Sequence, residues 1–145
     1  DYNVKYKRSI QENKSKHKEI CDSLRFQKSY FDWVGFYWMN DFDQNLELGA
    51  FSGSNTEHTR IPYGKGICGQ VAVSGEIIEV PNIHEANNYI ACSLETNSEL
   101  VVPIYKNKKL IGQLDIDSHS KNPFNLNDKA LLEEICKSVA DDIMP

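Results

Sequence analysis

The sequence predicts an α+β domain: an antiparallel sheet with N- and C-terminal helices on one face and loops and short helices covering a pocket on the other. Two pairs of segments alternate apolar and polar residues around short turns, which is typical of β-hairpins. Two longer segments with helical patterning lie at the ends of the chain. Terminal helices can cover only one face of such a sheet, so we expect the connections to form a cavity over the other.

With 145 residues, of which 40% are apolar and 26% charged, the chain fits one folded domain. We therefore expect a single domain over residues 1–145. It would comprise an N-terminal helical segment (1–30), followed by the sheet, the pocket and the C-terminal helix (31–145).

Charge and cysteine content exclude several classes of protein. The net charge is -5, whereas proteins that bind a nucleic-acid backbone carry a basic surplus. No apolar run approaches the roughly 18 residues that span a bilayer, and the first residues lack the core of a signal peptide. The four cysteines are not needed as disulfides in a chain of this size, so we predict free thiols and a cytoplasmic location.

The first third of the chain predicts a long helix and a hairpin. Residues 7–29 have weak helical periodicity, with apolar residues on one side at Ile10, Ile20, Cys21 and Leu24. The aromatic-rich segment 32–40 predicts a strand, and 46–51 predicts its hairpin partner after the turn 40–45.

The middle of the chain predicts short elements. Residues 59–62 predict a strand and 67–73 a helix that ends at Gly75, since glycine favours the position after a helix. Residues 77–80 predict another strand, and 83–96 are irregular or briefly helical.

A second hairpin and a terminal helix complete the prediction. The hairpin strands span 99–105 and 109–117. Asn127 is the predicted N-cap of the helix. One face of this helix carries Leu131, Leu132, Ile135, Cys136 and Val139.

Carboxylates concentrate on one face of the second hairpin. Asp115 and Asp117 share a face of their strand with Gln113, and hairpin pairing brings Glu99 close to Asp117. The alternative is a face open to solvent, but aspartate is disfavoured in strands, so we favour a polar pocket.

Two aromatic residues extend the predicted pocket. Trp33 and Tyr37 lie four residues apart in a strand and therefore share a face. Such aromatics are most often part of a core. An aromatic wall beside carboxylates would also suit a small cationic or zwitterionic ligand.

The cysteines differ in their predicted surroundings. Cys68 lies in the first turn of a helix, where the dipole favours a thiolate, or it packs as a small buried side chain. Cys92 lies in the irregular segment and is expected to be accessible. Cys21 and Cys136 lie on the terminal helices and are expected in the core.

Metal and phosphate sites are not predicted. His58, Cys68, His84 and Cys92 could supply ligands, but no pair has the short spacing of structural zinc motifs. The glycine-rich segment 64–69 lacks the spacing and the Ser/Thr of a phosphate-binding P-loop. We therefore expect no metal and no cofactor.

Six segments of the sequence together resemble the GAF domain family, and within it the free methionine-(R)-sulfoxide reductases. The resemblance runs from about Trp33 to the C-terminal helix. The segments are DWVGFY (32–37), LGAFSG (48–53), GKGICG (64–69), YIAC (89–92), NSELVVP (97–103) and GQLDIDS (112–118).

The resemblance implies a fold, a reaction and a set of roles. Cys92 matches the catalytic cysteine, which attacks the sulfoxide sulfur and becomes a sulfenic acid that thioredoxin or a similar dithiol recycles. Trp33 and Tyr37 match aromatic residues that shelter the methyl sulfoxide. The carboxylates that hold the substrate and assist proton transfer are Glu99, Asp115 and Asp117.

One departure from the family leaves alternatives open. His58 stands where the family usually has its resolving cysteine, and histidine cannot form a disulfide. Cys68 is the natural substitute, unless an external thiol acts directly. The alternative functions are a non-catalytic GAF module that binds a metabolite or senses oxidants, and an interaction module that forms a homodimer through its terminal helices.

Overall fold

The computed structural model describes residues 2–85 and 95–145, with side chains from residue 4 onward. Six strands within these ranges form one antiparallel sheet. The strands are β1 (Trp33–Asn40), β2 (Asn45–Ser52), β3 (Arg60–Pro62), β4 (Ile78–Val80), β5 (Ser98–Lys106) and β6 (Lys109–Ser118). Their order across the sheet is β3-β2-β1-β6-β5-β4. The two predicted hairpins therefore meet at the centre of the sheet, where β1 pairs with β6.

Four α-helices and one short 3-10 helix (Ile83–Glu85) accompany the sheet in the described ranges. The α-helices are α1 (Tyr2–Glu12), α2 (Lys14–Gln27), α3 (Gly66–Ser74) and α4 (Leu126–Asp142). Helices α2 and α4 pack on one face, while α3 lies over the other, as predicted. As predicted, α3 ends at Gly75, which adopts the left-handed conformation at φ 71°. None of the described helices is long and apolar enough to cross a membrane.

The N-terminal helical segment is broken, which corrects the prediction of one helix over residues 7–29. The break lies at Asn13, where α1 ends and α2 begins. The Asn13 side chain donates hydrogen bonds to the carbonyl oxygens of Ser9 at 2.9 Å and Asp142 at 3.3 Å. Asparagine that bonds to backbone groups competes with the regular helical pattern, so the chain turns here and contacts the end of α4.

The N-cap of α4 also differs from the predicted Asn127. Asn125 accepts a hydrogen bond from the backbone N–H of Asp128, whose carboxylate accepts one from the backbone N–H of Asn125. This reciprocal capping box begins the helix two residues earlier. Asp128 also accepts a hydrogen bond from the Tyr30 hydroxyl at 2.8 Å and pairs with Lys28 at 3.3 Å. The cap therefore joins the end of α2 to the start of α4.

The core between helices and sheet contains two of the cysteines, as predicted. Cys21 lies against the carbonyl of Ala50, and Cys136 lies against the carbonyl of Val102. Burial raises the pKa of the Cys21 thiol to about 12 and raises that of Cys136 as well. Both thiols therefore stay protonated and act as small apolar side chains.

The outer faces of α2 and α4 leave a groove of about 460 Å³ lined in part by Ile20, Leu131 and Ile135. These residues are only partly buried in the single chain. The homodimer through the terminal helices stays a prediction.

A histidine is buried among aromatic rings on the helix face of the sheet. His17 is 2% exposed, and its ring centroid lies 5.0 Å from that of Phe36 and 5.4 Å from that of Trp38. Neither ring nitrogen has a hydrogen-bond partner among the described residues. Burial, with a smaller contribution from Lys16, lowers the pKa of His17 to about 4, although Asp142 acts in the opposite direction. The folded protein therefore holds this imidazole neutral at pH 7.

This burial predicts a loss of stability in mild acid. An unfolded histidine takes up a proton below its usual pKa of 6.5, whereas folded His17 does so only near 4. Stability is therefore complete above pH 6.5 and falls as the pH decreases towards 4, by at most about 3 kcal/mol. We expect His17→Phe, which keeps an aromatic ring beside Phe36, to remove this component. Urea unfolding of both proteins between pH 7 and pH 4 measures the difference, and parallel stability curves would contradict the prediction.

Candidate functional site

Three neighbouring strands place polar and aromatic side chains on the face opposite α2 and α4. In the register of the sheet, Asp117 lies between Trp33 of β1 and Glu99 of β5. Gln113, on the same strand β6, lies opposite Tyr37 of β1. Because side chains alternate along a strand, these residues share one face. The predicted proximity of Glu99 and Asp117 and the shared face of the aromatic residues are confirmed.

The carboxyl groups on this face are shielded from solvent. Glu99 is 2% exposed, Asp115 0% and Asp117 1%. These values rule out the alternative that the face is open to water. Burying three carboxyl groups together is costly unless protons or a ligand reduce their charge. The arrangement is therefore typical of a functional site rather than of a stabilising core.

Burial and mutual repulsion keep protons on this cluster. Burial is the main cause that raises the pKa of Glu99 well above its usual range, and the negative charges of Asp115 and Asp117 raise it further. Burial also raises the pKa of Asp115, although hydrogen bonds with Glu99 and Cys68 and the charge of His58 lower it. A carboxyl group whose pKa is raised in this way holds its proton more tightly and is suited to act as a proton donor.

Helix α3 brings a thiol directly to the carboxyl groups. Cys68 lies in the first turn of α3 and is 4% exposed. Its Sγ atom donates a hydrogen bond to Oε2 of Glu99 at 3.7 Å, and its carbonyl accepts one from Nε2 of Gln113 at 3.1 Å. The sequence left open whether Cys68 was simply buried, and the structure shows that it is buried and in contact with the predicted site.

Trp33 and Tyr37 form the aromatic side of the site. Their ring centroids lie 6.3 Å apart at an interplanar angle of 31°. The indole N–H of Trp33 donates to the carbonyl of Ser54 at 3.0 Å, and the hydroxyl of Tyr37 donates to that of His58 at 2.8 Å. The two rings therefore anchor the segment between β2 and β3 over the sheet.

A glycine makes room for this aromatic arrangement. Gly35 lies between Trp33 and Tyr37 on β1, and a Cβ atom there would clash with Cη2 of Trp33. The indole consequently lies across the glycine and stacks on Phe51, with ring centroids 5.5 Å apart.

A small cavity remains between α3, the carboxyl groups and the segment between β2 and β3. It has a volume of about 10 Å³, which is room for about one water molecule. Its lining includes His58, Lys65, Cys68, Glu99 and Asp115. Sequence analysis missed the approach of His58 to Asp115, because a contact from an irregular segment leaves no periodic signal.

The predicted nucleophile is not part of the described structure. Cys92 falls in residues 86–94, outside the described residues. The structure therefore gives no distance between Cys68 and Cys92. The site as described comprises the predicted carboxyl groups, both aromatic residues and Cys68, together with Gln113 and His58.

Comparisons with known proteins agree with this fold. The GAF domain model matches residues 18–143. The free methionine-R-sulfoxide reductase of Saccharomyces cerevisiae is 39% identical over 110 residues, which cover 74% of this chain and 61% of that protein. The enzyme of the same name from Escherichia coli is 35% identical over 104 residues, covering 72% of this chain and 61% of the enzyme. The match thus spans less than two thirds of these two relatives.

Solved structures match over nearly the whole chain. The type II free methionine-R-sulfoxide reductase from Thermoplasma acidophilum superposes with a TM-score of 0.87 at 32% identity, covering 92% of this chain and 94% of that chain. The Neisseria meningitidis reductase in complex with its substrate gives a TM-score of 0.82 at 30% identity, with 98% and 90% covered. The sequence, the fold and these relatives together show that the chain belongs to the GAF domain family, in the branch of the free methionine-R-sulfoxide reductases.

Proposed function

We propose that this chain reduces free L-methionine-(R)-sulfoxide to methionine, with Cys92 as the nucleophile. The observation that carries the proposal is the buried cluster of Glu99, Asp115 and Asp117 beside an aromatic wall. It occurs in a chain whose relatives in Saccharomyces cerevisiae and Escherichia coli are named for this reaction.

The site has the chemistry that a free amino acid requires. The ammonium group of the substrate is a cation, and the buried carboxyl groups supply the negative charge that attracts it. Neither Glu99 nor Asp115 pairs with a lysine or an arginine in the described part of the chain. Trp33 and Tyr37 provide an apolar surface for the methyl sulfoxide end. A methionine sulfoxide within a polypeptide lacks the free ammonium group and would leave the carboxyl groups unpaired.

The reaction transfers one oxygen and two electrons. The thiolate of Cys92 attacks the sulfoxide sulfur, and the S–O bond breaks after the oxygen receives two protons and leaves as water. A carboxyl group of the cluster supplies one of these protons. Water then displaces methionine from the cysteine sulfur, which leaves a sulfenic acid on Cys92. The sulfoxide sulfur is reduced by two electrons, and the cysteine sulfur is oxidised by two.

Recycling requires two more thiol hydrogens. A second thiol attacks the sulfenic acid, releases water and forms a disulfide, which a dithiol such as thioredoxin reduces by exchange. With His58 at the usual position of the resolving cysteine, Cys68 is our first choice for this thiol because it already lies in the site. An external dithiol acting directly on Cys92 is the other route. Both routes need a reducing compartment, in agreement with the predicted cytoplasmic location.

A second candidate function follows from His58. A GAF module without turnover would bind a metabolite in the same pocket or sense oxidants through its thiols. The replacement of the resolving cysteine by histidine favours this alternative. The carboxyl cluster favours the reductase, because a thiol sensor does not need a proton donor beside a carboxylate site.

Activity assays decide between these functions. With thioredoxin, thioredoxin reductase and NADPH, we expect turnover of free methionine-(R)-sulfoxide but not of the (S) epimer. Cys92→Ser should abolish turnover because it removes the attacking thiolate, whereas Cys136→Ser should retain it as a matched control. If the native chain shows no turnover even with dithiothreitol, which bypasses a missing resolving thiol, the reductase proposal fails and the binding or sensing module remains.

Substitution of Glu99 tests the carboxyl cluster. Glu99→Gln keeps the shape of the side chain but removes its ionisable carboxyl group, and with it a proton donor. We expect kcat/KM to fall about 100-fold or more, in the range of a lost general acid. Thermal unfolding should show an equal or higher melting temperature, because repulsion with Asp115 and Asp117 is relieved. Glu133→Gln, an exposed carboxylate on α4, is the control. Retention of full kcat/KM by Glu99→Gln would exclude a role for this group.

A further inference from the structure

Three possible metal ligands meet beside α3. The Sγ atom of Cys68, a carboxylate oxygen of Glu99 and a carboxylate oxygen of Asp115 all lie within 4.8 Å of one another. All three residues are buried. They come from three different elements, α3, β5 and β6, so the sheet register and the position of α3 preassemble them. This set differs from the four His and Cys residues considered from spacing alone, because the carboxylates join it only in three dimensions.

The separations fit a tetrahedral ion. For bonds of about 2.3 Å to sulfur and about 2.0 Å to oxygen, a zinc ion holds the two donor atoms about 3.5 Å apart. The observed distance between Sγ of Cys68 and Oε2 of Glu99 is 3.7 Å. An ion could therefore replace the hydrogen bond between them with little movement of either side chain. The thiol proton would leave to solvent as the two metal bonds form.

The carboxylate oxygens have bonding capacity left. Apart from the hydrogen bonds with Glu99 and Cys68 inside the cluster, neither oxygen of Asp115 has a donor among the described residues, and Oε1 of Glu99 has none there outside the cluster. Buried acceptors without such donors are costly and indicate a missing partner. The adjacent cavity of about 10 Å³ has room for one ion or water molecule. The ligating atoms and the size of the adjacent cavity therefore both fit a single bound cation.

A candidate fourth ligand, His58, lies at the same cavity, although the donor atoms within 4.8 Å of one another are those of Cys68, Glu99 and Asp115. His58 lines the cavity, and its charge acts on Asp115. Its side chain is half-buried, so it can approach from the rim without rearranging the sheet. Lys65 also lines the cavity, but its side chain is exposed and its ammonium group can remain in solvent. Thiolate, imidazole and carboxylate are all established zinc ligands.

We propose that Cys68, Glu99, Asp115 and His58 bind a thiophilic divalent cation, Zn²⁺ above all, and that the bound cation blocks the substrate pocket. Binding of the cation is inferred from the geometry alone, whereas inhibition of sulfoxide reduction rests on the proposed reductase function. Replacement of a redox-active cysteine by His58 thus gives the site a metal ligand where a disulfide partner would otherwise stand. The ion occupies the carboxyl groups that the substrate ammonium requires, so binding of the two is mutually exclusive.

Direct metal binding is measured in the Cys92→Ser protein, so that the thiol of Cys92 does not contribute. Titration with Co²⁺, a spectroscopic substitute for Zn²⁺, should show one equivalent bound, with thiolate-to-metal charge-transfer absorption. Cys68→Ser should abolish this absorption, whereas Cys136→Ser, which changes a buried thiol elsewhere, should retain it. We expect His58→Gln to weaken the affinity at least tenfold and His84→Gln to leave it unchanged.

Circular dichroism checks that each variant is folded. Because His58 is only half-buried, we expect His58→Gln to leave the core undisturbed. Absence of stoichiometric Co²⁺ and Zn²⁺ binding in calorimetry would overturn the proposal. Equal affinities in the site variants and their matched controls would overturn it as well.

Inhibition is measured separately with the native Cys92. Zn²⁺ should inhibit sulfoxide reduction reversibly, with recovery after chelation, and the inhibiting concentration should rise at least tenfold in His58→Gln relative to His84→Gln. Each variant is compared with its own rate without metal. Metal binding without reductase activity would refute the proposed function but support the metal site. Full activity in a metal-saturated protein would refute the inhibitory part.

Discussion

The burial of three carboxyl groups on one face of the central strands is the constraint on which the site depends. Pairing of β1 with β6 and of β6 with β5 fixes Asp117 between Trp33 and Glu99. Removing several carboxylates from water costs free energy that their own contacts do not return. The cluster is therefore stabilised from outside, by the register of the sheet and by α3, which covers it. A proton, a substrate cation or a metal ion can each reduce its charge.

The opposite face of the sheet supplies the stability that this site lacks. Helices α2 and α4 bury apolar side chains against the same strands, including the inert thiols of Cys21 and Cys136. The Asn13 and Asp128 contacts join the two helices to each other and to the turn before β1. A sheet held firmly on one side can keep polar groups in an unfavourable arrangement on the other, which is a common division between stability and function.

His58 is common to the proposed recycling chemistry and to the proposed metal site. The imidazole of His58 lines the same cavity as Cys68 and two of the carboxyl groups. An imidazole can accept a proton or bind a metal, but it cannot resolve a sulfenic acid. In the proposed reaction, resolution of the oxidised cysteine therefore falls to Cys68 or to an external thiol.

The sequence alone determined the strands, the pairing within each of the two hairpins and the shared face of the acidic residues. Alternation with a period of two decides which side chains face together, so Asp115 and Asp117 were placed correctly, as was Glu99 across the hairpin. Helix propensity did not locate the break at Asn13, because a hydrogen bond from its side chain to the distant carbonyl of Asp142 stabilises it. It also did not locate the N-cap of α4, because the reciprocal hydrogen bonds of Asn125 and Asp128 decide where this helix begins. Only the tertiary structure brought Cys68 and His58 to the carboxyl groups. These contacts join segments remote in sequence through irregular connections, and no local periodicity records where such connections return to the sheet.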